Sequence, residues 1–116
     1  YTGEVGAYQV EGIGYDFYPD VFRPEIVDEM YRIDDQQSFL EARQLAKEEG
    51  ILAGGSTGNV LAGTRRLLEN LNKRGELDGK TIVLFIHDNG RSYLSKIYND
   101  EWMEEQGFIP PTANQN

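Results

Sequence analysis

Phe39, Ala42, Leu45 and Ala46 follow one another at steps of three, three and one, with Glu41, Lys47 and Glu48 set off that line. This is the stripe of an amphipathic helix. Asp34 with Gln37 three residues on resembles a capping box, and Gly50 is a natural C-terminal stop, so the spacing predicts a helix between them. A second stripe, Val60, Leu61, Thr64, Leu67, Leu68 and Leu71, keeps helical spacing over three turns and ends in the polar stretch Asn72 to Gly79. Thr81-Ile82-Val83-Leu84-Phe85-Ile86 is a continuous apolar run rich in β-branched residues, as expected of a strand covered on both faces. Tyr93, Leu94, Ile97 and Tyr98 form a last helical face, followed by Trp102 and Phe108. Shorter strand candidates are Tyr8–Val10, Met30–Ile33 and Ile51–Ala53, and Glu25 to Glu29 can make a helical turn. Strands alternating with helices predict an α/β arrangement with parallel strands. Residues 1–7 read as a linker or loop, and residues 110–116 as a flexible polar tail.

Composition narrows the function classes. A chain of 116 residues, 39% apolar and 27% charged, holds one modest domain with a core. Eleven basic residues against twenty acidic ones give a net charge of −9, which repels nucleic-acid phosphates and anionic lipid. With no cysteine, a disulfide scaffold, a thiol nucleophile and thiolate metal sites are excluded, and a reducing cytoplasmic setting fits. No apolar run approaches the roughly 20 residues that span a bilayer. The first residues lack the basic and apolar parts of a signal peptide. The chain opens without methionine and reads as a piece of a longer protein.

Two glycine motifs are the candidate chemistry. Gly54-Gly55-Ser56-Thr57-Gly58 lies between a short strand candidate and the second helix. One reading is a tight turn in which Ser56 or Thr57 caps the helix. The other is a cofactor site, because open α/β sheets bind ligands at the carboxyl ends of parallel strands and a helix N-terminus offers unpaired N–H groups. A phosphate-binding P-loop is excluded, since Gly-Lys-Ser/Thr is missing. Glu11-Gly12-Ile13-Gly14-Tyr15-Asp16-Phe17 reads either as a β-turn with an aromatic anchor or as flexible backbone beside a flat ligand, with Tyr15 supplying a hydroxyl. His87, the single histidine, has no metal-ligand spacing around it and reads as structural. Glu101, Glu104 and Glu105 read as a solvated helix face, and no metal site is expected.

Glu11 to Pro19, Ala42 to Gly50, Gly54 to Gly58, Tyr93-Leu94-Ser95-Lys96, Trp102-Met103 and Gly107-Phe108 together resemble the C-terminal half of the catalytic core of cystathionine β-synthase. Cysteine synthase is the close relative in the same family of pyridoxal-phosphate β-replacement enzymes. Glu-Gly-Ile-Gly-Tyr-Asp stands here where cysteine synthases read Gln-Gly-Ile-Gly-Ala-Gly, which favours the former.

The resemblance implies the parallel-sheet large-domain portion of a fold-type-II enzyme, with residues 1–109 as the C-terminal part of its catalytic domain. It implies pyridoxal 5'-phosphate as cofactor, condensation of serine with homocysteine to cystathionine, and a homodimer. By position in the motifs, Ser56 inherits the contact to the pyridine nitrogen, while Gly12, Gly14, Gly54, Gly55 and Asp88 inherit places around the cofactor. Tyr15 lies on the substrate side. His87 and Asn89 stand where the family has proline and serine around Asp88. The Schiff-base lysine and the phosphate-binding loop belong to the family's N-terminal half. None of Lys47, Lys73, Lys80 and Lys96 matches them. The chain is therefore expected to be inactive alone, with the missing half as its partner. The alternatives are a cysteine synthase and a non-catalytic binding domain.

Overall fold

The computed structural model describes residues 6–15 and 17–112. Asp16 and parts of both terminal segments, residues 1–5 and 113–116, lie outside the described residues, and with them most of the expected linker and tail. Among the described residues there are three α-helices, α1 (Asp35–Glu49), α2 (Gly55–Lys73) and α3 (Asp100–Glu105), with short 3-10 turns at Pro24–Ile26 and Gly90–Tyr93.

The ends of α1 follow its sequence signals. The Asp34 carboxylate accepts from the Gln37 amide, and Gly50 closes the helix at φ 68°, where a residue with a Cβ is strained. α1 and α2 pack against each other where Gly58 meets the first turns of α1. A Cβ at Gly58 would lie 1.8 Å from the Ser38 carbonyl oxygen, so only glycine permits the approach. Beside this crossing the Asn59 amide donates to Ser38 Oγ at 3.0 Å, and Ser38 Oγ donates to the Asp34 carbonyl at 2.8 Å. The polar atoms of the buried Ser38 are thereby satisfied.

The core adjoins this crossing, since Gly55 of α2 approaches Phe39 and Ile97. Val10, Phe39, Ala42, Ile97 and Met103 are its buried members. Phe39 meets Trp102 and Phe108 edge-on, with ring centroids 5.8 and 5.1 Å away. Asp35 ties the N-terminal segment to α1, its two carboxylate oxygens accepting from the backbone amides of Gln9 and Val10 at 2.7 and 3.1 Å.

The expected parallel sheet is not present among the described residues. The single β-contact among the described residues is an isolated antiparallel bridge between Ala53 and Asn89. Tyr8–Val10, Met30–Ile33 and Thr81–Ile86 pair with nothing in a ladder. Instead of being covered on both faces, Val83 and Phe85 are 88% and 73% exposed, against 38% and 37% for Ile82 and Leu84. Exposure thus keeps the period of two that a strand requires, but a ladder needs neighbouring backbone that these residues do not supply. The last helical face is also corrected. Residues 90–98 form a 3-10 turn and further turns, and the helix starts later, at Asp100, capped by Asn99. Tyr93, Ile97 and Tyr98 still pack on the core from those turns.

Candidate functional site

The first turn of α2 is the centre of the site. Its N-cap is Gly54, at φ −78° and ψ 174°, and no side chain caps the helix. Ser56 and Thr57 are the second and third helical residues, so neither is the cap that one reading of the loop required. Ser56 is 8% exposed, and its hydroxyl is not among the enclosed atoms that lack a partner. The Thr57 hydroxyl is buried and unpartnered. Two hydroxyls and the orphan N–H groups of a helix start therefore share one turn, with a partial positive charge behind them.

The turn entering α2 is held from several sides. The Gly54 amide donates to Asp88 Oδ1 at 3.2 Å, and the Tyr93 hydroxyl donates to Asp88 Oδ2 at 2.6 Å. Both oxygens of the carboxylate accept from protein donors. The Tyr98 hydroxyl accepts from the Ala53 amide at 3.3 Å and donates to the Ala53 carbonyl. The Gly90 amide donates to the Leu52 carbonyl at 2.9 Å. A Cβ on Gly54 would lie 2.3 Å from Asp88 Oδ1, and one on Gly55 would lie 2.9 Å from the Phe39 ring. In this structure the two glycines thus serve close packing. The hydrogen bond to Asp88 pushes the Tyr93 phenol up to about 12, with burial and the carboxylate charge acting the same way. Burial raises the Tyr98 phenol.

The other glycine loop approaches from the N-terminal segment. Gly12 and Gly14 have φ of 79° and 77°, left-handed values that make glycine necessary at both. Glu11 at its base forms an ion pair with Lys96 at 2.5 Å. A cavity of about 10 Å³, room for one water, joins Glu11 and Lys96 to Tyr93, Trp102 and Gly55. The base of this loop therefore reaches the start of α2. Gly12, Gly14 and Tyr15 do not line the cavity. Tyr15 is 61% exposed and packs on Phe17, with ring centroids 5.4 Å apart. His87 is exposed, its ring 5.4 Å from that of Phe85. Tyr93, Tyr98 and Lys96 were legible only as packing or unassigned residues. Nothing in their spacing pairs them with Asp88, Ala53 or Glu11.

No protein-family model matches the chain. It is 41% identical over 105 residues to a cystathionine beta-synthase of Dictyostelium discoideum, covering 90% of this chain and 20% of that protein. Its identity to the Apis mellifera cystathionine beta-synthase is 38% over 110 residues, covering 95% of this chain and 21% of that protein. With the protein of that name from Saccharomyces cerevisiae it shares 41% over 105 residues, again 90% of this chain and 20% of the relative. The chain thus spans about a fifth of the length of these curated relatives. Among solved structures it is similar to O-acetyl serine sulfhydrylase isoform 3 from Entamoeba histolytica, with a TM-score of 0.64 and 31% identity over 91% of this chain and 32% of that one. The resemblance carried by the glycine motifs therefore extends over nine-tenths of the residues.

Proposed function

We propose that this chain is part of a pyridoxal-phosphate-dependent β-replacement enzyme of the cystathionine β-synthase kind, which joins serine to homocysteine with loss of water. The observation that carries the proposal is Ser56, a nearly buried residue in the uncapped first turn of α2, next to the enclosed and unpartnered Thr57 hydroxyl. A pyridine nitrogen fits the Ser56 hydroxyl as an acceptor, and the unpartnered Thr57 hydroxyl leaves the turn able to take further polar contact. The cofactor, when bound, supplies an electron sink that loosens the bond to the leaving group on the substrate's β-carbon.

This chain's own residues then bind and orient. Ser56 donates its proton into a hydrogen bond without transferring it, because a hydroxyl is a weak acid. Gly12 and Gly14 bring bare backbone to the flat face of a ligand. Tyr15, exposed beside them, offers a hydroxyl to a substrate oxygen. Gly54 and Gly55 let the turn sit tight against Asp88 and Phe39.

Thr81–Ile86 takes its neighbours, in this proposal, from the rest of the enzyme, where it forms part of a parallel sheet. Its alternating exposure and the unpaired apolar side chains support that reading. The cofactor-binding lysine and phosphate loop come from the same remainder, and the enzyme works as a cytoplasmic homodimer. Among the described residues no helix is long and apolar enough to cross a membrane.

The test uses the intact protein with added pyridoxal 5'-phosphate. Serine and homocysteine should yield cystathionine, read by mass spectrometry. The likeness to a sulfhydrylase structure favours a second reading, in which O-acetylserine and sulfide yield cysteine faster. Failure to bind the cofactor and to turn over either pair would refute both.

A further inference from the structure

We propose that Asp88 is a positioning residue: oriented by the Tyr93 hydroxyl, its carboxylate holds the Gly54 amide and so fixes where Ser56 projects from the first turn of α2. The inference rests on the functional reading of Ser56 given above.

An N-cap without a side chain leaves the entry to a helix conformationally loose, since nothing local ties down the first turn. Gly54 is such an N-cap, and as glycine it adds backbone freedom of its own. The restraint comes instead from 34 residues away, through the 3.2 Å bond from the Gly54 amide to Asp88 Oδ1. Hydrogen bonds to a charged acceptor are the strong ones, so this bond is well suited to hold a mobile turn. A lone carboxylate could still rotate about its side-chain torsions. The Tyr93 hydroxyl prevents this by taking Oδ2 at 2.6 Å, while the Tyr93 ring packs against the buried core. Rigidity thus passes from the core to Tyr93, from Tyr93 to Asp88, and from Asp88 to the backbone two residues before Ser56. The fit has no slack on the glycine side, since a Cβ at Gly54 would sit 2.3 Å from Asp88 Oδ1. Asp88 therefore acts on the ligand through Gly54 rather than by touching it.

The intact protein and its Asp88→Ala, Asp88→Asn and Tyr93→Phe variants test this, with two readouts. The first is hydrogen exchange at Gly54 in the cofactor-free protein, followed by NMR or by mass spectrometry of the peptide covering 52–57. Asp88→Ala should speed it about tenfold or more, as expected for loss of a bond to a charged acceptor. Asp88→Asn keeps an acceptor oxygen and should recover much of the protection. Tyr93→Phe should fall between them and add nothing in the Asp88→Ala background, because it acts only through Asp88. Exchange in α1 should stay unchanged in every variant. The second readout is the Kd for pyridoxal 5'-phosphate, which should weaken in the same order. Unchanged exchange at Gly54 in Asp88→Ala would overturn the proposal. So would faster exchange with an unaltered Kd, since the clamp would then position nothing. A wild-type protein that does not bind the cofactor would instead overturn the functional reading, a result the wild type alone reveals.

Discussion

Gly58 lies so close to Ser38 that a methyl group in place of its hydrogen would sit 1.8 Å from the Ser38 carbonyl oxygen and 2.9 Å from the Ala42 amide nitrogen. Both obstacles are helical backbone, which cannot turn aside as a side chain can. Gly58→Ala should therefore force α1 and α2 apart and cost about 3 kcal/mol, the upper range for overpacking. Denaturant unfolding of the intact protein measures it.

Gly63, five residues on in α2, is the opposite case. A Cβ there would meet its nearest neighbours, Ile33 and Tyr31, only at 4.0 Å. Gly63→Ala should stabilise by about 0.5–1 kcal/mol, because alanine loses less conformational freedom on entering a helix. If both substitutions prove equally harmful in the same unfolding experiment, the helix crossing is not where the structure puts it.

Tyr93 ionises with difficulty. The hydrogen bond to Asp88 is the first cause and carries its phenol to about 12. The unfolded value is about 10, so the folded state holds this proton more tightly. Its contribution to stability is therefore complete below pH about 10 and is lost as pH rises through about 12. The stability advantage of the wild type over Tyr93→Phe should shrink across that window, read by denaturant midpoints at several pH values. A Tyr93 phenol that titrates near the ordinary value of about 10, followed by NMR, would mean that the bond to Asp88 is not made.

The parts of this fold that were legible in the sequence are those encoded locally. Asp34, Gln37 and Gly50 mark both ends of α1 because capping is settled within one turn of chain. The stripe from Val60 to Leu71 likewise lies within α2. Thr81–Ile86 misled because an apolar run signals burial only if something covers it, and the covering neighbours are not among the described residues. At the site, the glycine pattern marked the turn before α2, but the choice between Ser56 as cap and Ser56 as ligand contact depended on which residue starts the helix. Starting at Gly55 removes Ser56 from the cap. The link from Asp88 to Gly54 joins residues far apart in the chain, and no periodicity carries such a pair.

Tyr15 is exposed, with its ring against that of Phe17, so replacing its hydroxyl should leave folding alone. Tyr15→Phe in the intact enzyme should keep the melting temperature. If the hydroxyl holds the substrate most strongly in the transition state, kcat and kcat/KM should fall together by about tenfold. Unchanged steady-state kinetics would reduce Tyr15 to a packing residue.

Ser56 is where the functional assignment is most exposed to test. Because it is not the helix cap, Ser56→Ala should leave thermal stability of the cofactor-free protein nearly unchanged. Loss of one hydrogen bond to the pyridine nitrogen should still weaken the cofactor by about tenfold. The decisive measurement is the Kd for pyridoxal 5'-phosphate of the intact wild type and Ser56→Ala, titrated by cofactor absorbance alongside a melting curve without cofactor. A weakened Kd at constant melting temperature is the predicted result. An unchanged Kd would contradict the placement of the cofactor at the first turn of α2.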